Sequence, residues 1–222
     1  MRYISQVVKI FRLLAAPFVA LTLVLTASGA PARAEETDAQ LATDWQNAWN
    51  FYKFYQCVTS PLPWTGRGTQ TRDIAIDITA PAARVFSVYS DFRNHLGLGG
   101  FLRRVAIHSD TTAADGVRTV NSTAIEDVPT LDGLPPLSIK THAQQRLHAS
   151  ELYFETDSWT LPNVVTHQKI VFTDLGGGVT RVSEHLVFEA NLLLIDYTAA
   201  NGVASHQATQ AGLKNAIESG AL

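Results

Sequence analysis

From Asp38 onward the apolar positions follow two different periods. Leu41, Trp45, Ala48, Trp49, Tyr52 and Tyr55 recur at helical spacing, which predicts an amphipathic helix over 38–56 with an aromatic stripe. Thr37 or Asp38 can cap it. Pro61, Pro63, Gly66 and Gly68 then punctuate a linker. From Thr71 the period changes. Ile74, Ile76 and Ile78 alternate with Asp73, Ala75 and Asp77, as in a half-buried strand. Pro81 suits the first turn of a short helix that buries Val85, Phe86 and Tyr89. A second short helix begins at Asp91-Phe92 and ends in Gly97-Leu98-Gly99-Gly100. Six strands follow, at about 101–109, 116–126, 137–148, 151–159, 163–173 and 179–189. Their turns are marked by Asp115-Gly116, Asp132-Gly133, Leu161-Pro162-Asn163 and Gly176-Gly177-Gly178. An Ala-rich helix over about 198–219 closes the chain, with Gly220 just past its end.

One strand, two short helices, six strands and a long helix predict an α+β fold. Six strands joined by short turns make an antiparallel meander, and a curved sheet buries one face economically by wrapping a helix. Three segments carry a resemblance: IDITAPAARVFSVYSDF at 76–92, GGGVTRVSEHLVFEA at 176–190 and SHQATQAGLKNAIES at 205–219. In their order and spacing they resemble the START-like helix-grip superfamily, also called SRPBCC, which includes polyketide cyclases and lipid-transfer proteins. The resemblance covers about 71–219. It implies a curved sheet of about seven strands gripping the C-terminal helix, with the helix over 38–56 as an addition. The chain departs from the family at Leu96-Gly97-Leu98, where a Trp-Pro is common.

The first 34 residues have another character. Arg2, Lys9 and Arg12 precede an apolar run from Leu13 to Ala27, and Ala32-Arg33-Ala34 is a cleavage pattern ahead of Glu35. The run is shorter than the ~20 residues of a spanning helix. A secretory signal over 1–34 is therefore expected, followed by helix and linker over 35–70 and the helix-grip domain over 71–222. A periplasmic or secreted protein with no stable membrane anchor after cleavage follows. Removing the signal changes the charge. The whole chain carries −3, whereas 35–222 holds 13 basic and 20 acidic groups, net −7. An acidic domain is a poor partner for nucleic acid, which needs a basic surface. The single Cys57 excludes a disulfide framework and a Cys-clustered zinc site. It sits among aromatics and is expected to be buried.

Strand parity locates candidate chemistry. A turn at 175–177 would pair residues of the last hairpin so that Val164, Thr166, Ile170 and Phe172 share an inward face with Val182, Leu186 and Phe188. That register sets Gln168 opposite Glu184, and His167 opposite His185 on the outer face. Glu184 on an apolar inward face is the strongest candidate for an acid/base or a ligand anchor, and burial should raise its pKa. Otherwise it is hydrated or bonded to Gln168 as a structural group. His206 and Gln210 lie one turn apart on the last helix, on a face the sequence leaves open. Leu131 and Leu134 lie in the 127–136 loop, which in the family often borders the cavity mouth, as a gate or a plain turn.

No metal is expected. His142 and His148 are about 20 Å apart along a strand, and His167 with His185 would make an incomplete site. No G-x-S-x-G and no dinucleotide fingerprint is present, so no cofactor is expected. The favoured function is an exported binding or carrier protein for a lipid or other small hydrophobic ligand in an apolar cavity. The alternatives are a cyclase/aromatase- or isomerase-type enzyme using Glu184 or a cavity His, and an interaction module with a filled core. Residues 38–56 either pack on the domain or offer a face to a protein partner.

Overall fold

The computed structural model describes residues 35–58, 66–98, 101–128, 135–160 and 164–222, and only the backbone of 55–58. Seven strands lie in one antiparallel sheet: β1 (Arg67–Ile78), β2 (Leu102–Thr112), β3 (Arg118–Val128), β4 (Leu137–His148), β5 (Tyr153–Thr160), β6 (Val164–Asp174) and β7 (Thr180–Asn191). Their order is β1-β7-β6-β5-β4-β3-β2. Three helices accompany them: α1 (Asp38–Val58), α2 (Ala82–Tyr89) and α3 (Ile195–Ser219), with a 3₁₀ turn at Phe92–His95. This is the expected α+β helix-grip arrangement. Strand β1 starts four residues before Thr71, because Arg67 to Gln70 pair with Asn191 to Phe188 although they carry no apolar alternation.

The last hairpin reverses one residue later than expected. Leu175 N–H bonds the Val179 carbonyl at 2.9 Å across Gly176-Gly177-Gly178. All three glycines have positive φ (81°, 63° and 77°), a run that side chains other than glycine's resist. The true register sets Ile170 opposite Glu184, Gln168 opposite Leu186 and Lys169 opposite His185. His167 stands opposite Val187, not His185. The displacement is two residues in the pairing, so the inward and outward faces survive it.

The inner face of the sheet holds the main core. Val85, Phe86, Val88 and Tyr89 of α2 pack with Phe154, Ile170, Phe172 and Val182 of the sheet and with Leu213 and Ile217 of α3. Helix α3 approaches closely because two of its residues lack side chains. A Cβ on Gly202 would lie 2.4 Å from Phe188 Cε1, and one on Gly212 would lie 2.2 Å from the Leu98 carbonyl oxygen.

The outer face is covered by α1. Leu41 packs with Ala106 and Ile125, while Trp45 and Ala48 pack with Trp159 and Val165. Trp45 Nε1–H donates to the Ala143 carbonyl at 2.8 Å. Tyr52 stacks on Trp159 with centroids 4.8 Å apart. Trp45, Trp49 and Tyr52 of the aromatic stripe are therefore spent on the sheet, and among the described side chains Phe51 and Phe54 are the exposed aromatics of α1. Beneath it, His108 Nε2 and His142 Nδ1 both bond Thr123 Oγ1, at 2.8 and 2.9 Å. The side chain of Cys57, expected to be buried, lies outside the described residues' side chains. Among the described residues no helix is long and apolar enough to cross a membrane.

Candidate small-molecule cavity

The sheet and α3 leave a cavity of about 150 Å³ between them. Its wall draws on α2 (Tyr89), the 3₁₀ turn (Phe92, His95), the strands β2–β7 and α3 (Ser205, His206, Thr209). Alternation explains the strand contributions: Ser122, Ala124 and Glu126 line it from β3, and Thr156 and Ser158 from β5.

Glu184 sits at the centre of a polar cluster and is 1% exposed. Tyr89 donates its hydroxyl to Oε1. Gln210 Nε2 donates to the same oxygen at 2.8 Å, and His206 Nδ1–H donates to Oε2 at 2.7 Å. Burial alone pushes the Glu184 pKa up, but the three donors and the nearby imidazole outweigh it and hold the carboxyl below its ordinary value. This corrects the expected upward shift. The sequence pattern shows the burial of Glu184 but not the donors that α2 and α3 bring to it. Tyr89 is driven the other way, well above its ordinary value, by burial and by the Glu184 charge. It stays a neutral hydroxyl.

His95 shares this wall. Its Nε2–H donates to the Tyr89 carbonyl at 2.8 Å. Burial holds its pKa below the ordinary imidazole value, so the ring is neutral with Nδ1 as its acceptor. His206 is turned the other way: its Nδ1–H faces Glu184, and Nε2 is left outside that bond.

Further polar groups line the sheet side. Thr156 and Gln168 line it from β5 and β6, and Gln145 of β4 stands beside Thr156 outside the wall. Gln145 and Thr156 are each 2% exposed, and Gln145 Nε2 and Thr156 Oγ1 have no hydrogen-bond partner. Glu126 Oε2 accepts from the Thr141 hydroxyl at 2.7 Å. The lining is thus mixed, rather than the apolar wall expected from parity.

Four of the residues expected at a site line the cavity: Gln168, Ile170, Glu184 and His206. Gln210 stands behind them as a donor to Glu184. Thr166 is buried without lining the cavity. Phe172 and Val182 belong to the main core. Leu186 and Phe188 pack on Ile195 and Ala199 of α3, with Val164 at the margin. Those core positions fill the space that parity alone leaves open. Leu131 and Leu134 lie outside the described residues. Tyr89, His95, Glu126 and Thr156 were not singled out for chemistry. Tyr89 carries only the signal of a buried helix face, and the other three carry none in the sequence alone.

Among the described residues no group of three or more His, Cys, Asp or Glu is placed to hold a metal ion. His167 bonds Asp157 at 2.7 Å and lies 3.6 Å from Glu189, whereas His185 bonds Asp73 at 2.7 Å. The hydrogen bonds to Asp157 and Glu189 raise the His167 pKa to about 9.

No family model matches the chain, and no curated protein matches it significantly. Solved structures do. The protein TTHA0849 from Thermus thermophilus superposes with a TM-score of 0.56 at 14% identity, over 69% of this chain and 100% of that one. The Zhui aromatase/cyclase from a Streptomyces species gives 0.50 at 14% identity, over 68% and 96%. A START superfamily protein from Mycobacterium smegmatis gives 0.50 at 16% identity, over 68% and 99%. At these identities the likeness is one of architecture, and it agrees with the strand order, the gripping helix and the cavity between them. The chain carries the START-like helix-grip fold.

Proposed function

We propose that this chain is an exported binding protein for a small, mainly hydrophobic molecule that carries at least one polar group. The carrying observation is the cavity of about 150 Å³ with a buried, hydrogen-bonded carboxylate in its wall. A space of that size accommodates a benzene-sized molecule and falls short of the ~300–1,000 Å³ of a drug-sized pocket. A single substituted ring fits this description better than a long-chain lipid. Aliphatic and aromatic side chains supply the affinity, and the polar groups orient the ligand. Export rests on the signal-like pattern of residues 1–34.

Two measurements test this. Protein recovered from the periplasm of a bacterial host should begin at Glu35; recovery of an uncleaved chain in the cytosol overturns export. Saturation-transfer NMR with single-ring probes should give signals that vanish when Ala124→Trp or Ala143→Trp fills the cavity. Probes that bind neither the wild type nor any cavity-bearing variant overturn the binding function.

A second function, acid/base catalysis, is favoured by one observation. Glu184 accepts from His206 Nδ1–H, so in the neutral ring Nε2 carries the lone pair, as a carboxylate arranges for a general base. If a molecule recovered from the protein is converted to a product, His206→Gln should retain binding and lose turnover. The third, an interaction module with a filled core, is less favoured because a cavity of about 150 Å³ remains between the sheet and α3.

A further inference from the structure

Three features of the cavity bear on the charge of its occupant. First, it contains two carboxyl groups, Glu184 and Glu126, and no Lys or Arg among its described lining residues. The undescribed internal segments 59–65, 99–100, 129–134 and 161–163 contain no Lys or Arg either. However they lie, they bring no basic group to the wall.

Second, the imidazoles do not cancel this charge. His95 is held neutral by its burial, which outweighs the opposing pull of its bond to the Tyr89 carbonyl. If His206 is protonated, it neutralises Glu184 and leaves Glu126 uncompensated. If His206 is neutral, both carboxylates contribute. Either protonation state leaves the wall net negative. Thr141 gives Glu126 a hydroxyl donor but no charge.

Third, Thr156 Oγ1 is buried, faces the cavity and has no partner. A buried hydroxyl of this kind needs a hydrogen-bond partner, as donor or acceptor, so the occupant carries a polar group of its own. Phe92, Phe101 and Tyr89 add aromatic faces, which also favour a cation.

We propose that the cavity selects a small amine: one ring bearing a protonated nitrogen, with Glu126 as the carboxylate that recognises the charge. This rests on the binding function proposed above and narrows its ligand. It also excludes the anionic amphiphiles, such as fatty acids and phosphate esters, whose head groups would enter a negative, low-dielectric wall with no cation to meet them.

The test uses three probes of one size: benzylamine, benzyl alcohol and benzoate, titrated at pH 7 into the purified protein and followed by ligand-observed NMR. Benzylamine should bind at least about tenfold tighter than benzoate, with the alcohol between them. Glu126→Gln should bring benzylamine down to the affinity of the alcohol while leaving the alcohol unchanged. Benzoate binding as tightly as benzylamine overturns the proposal in the wild type, whether or not the variant folds. An alcohol that binds while the amine gains nothing overturns the amine but keeps the cavity as a binding site. Failure of all three probes overturns both. Unaltered amine affinity in a folded Glu126→Gln protein removes Glu126 from the recognition.

Discussion

The His206 Nδ1–H lies 2.7 Å from Glu184 Oε2, joining the gripping helix to the centre of the last strand. That bond, with those from Tyr89 and Gln210, ties two helices to one carboxylate of β7. Glu184→Gln would turn an amide NH₂ toward groups that are themselves donors. The variant should lose about 1–3 kcal/mol in urea unfolding, the cost of leaving buried polar groups unmatched.

The same carboxylate sets an acid limb. The folded pKa of Glu184 is below its ordinary value of 4.5, so the unfolded chain takes up the proton first. Its contribution is complete above about pH 4.5 and is lost as pH falls through the lower folded value. Stability measured against pH should fall more gently in Glu184→Gln than in the wild type across that window.

Two outer-face histidines act in opposite directions. His167 is raised to about 9 by its bonds to Asp157 and Glu189, so its contribution is present below pH 6.5 and is lost as pH rises through about 9. His142 is lowered to about 4, first by burial and then by the Lys140 charge, against the opposing pull of Asp44. Its contribution is present above 6.5 and is lost as pH falls toward 4. His167→Gln should flatten the alkaline side of the stability profile and leave the acid side alone; His142→Asn should do the reverse.

Helix α3 depends on two absent side chains. Gly202→Ala places a methyl 2.4 Å from the Phe188 ring. A gain of about 1 kcal/mol in helix propensity is opposed by overpacking of about 1–3 kcal/mol. The expected outcome is a lower melting temperature, and an unchanged or higher one would show that Phe188 yields freely.

Trp45→Ala removes a buried indole and its bond to the Ala143 carbonyl. A loss of about 3–5 kcal/mol is expected. Hydrogen exchange should rise first in residues 38–54, before β6 and β7, if α1 docks as a separable layer on the sheet.

The architecture was legible because its signals are local. Ile74, Ile76 and Ile78 alternate, Leu213 and Ile217 fall one turn apart, and three consecutive glycines force a reversal. Glu184 stood out for the same reason, as a charge on an apolar strand face. Its partners did not, because Tyr89, His206 and Gln210 reach it from other elements, and no pattern along one element shows contact with another. The hairpin register was misjudged because the sequence does not say which residue of Leu175-Gly176-Gly177-Gly178 starts the turn. Helical periodicity could not place His206 either, since α3 carries polar residues on more than one side.

The docking of α1 has a practical corollary for anyone assaying this protein. Trp45, Trp49 and Trp159 are neighbours on the outer face, with ring centroids 4.9–5.8 Å apart, and none lines the cavity. Their emission reports the attachment of the N-terminal helix, so silence from these three rings in a titration would say nothing about an empty or occupied interior.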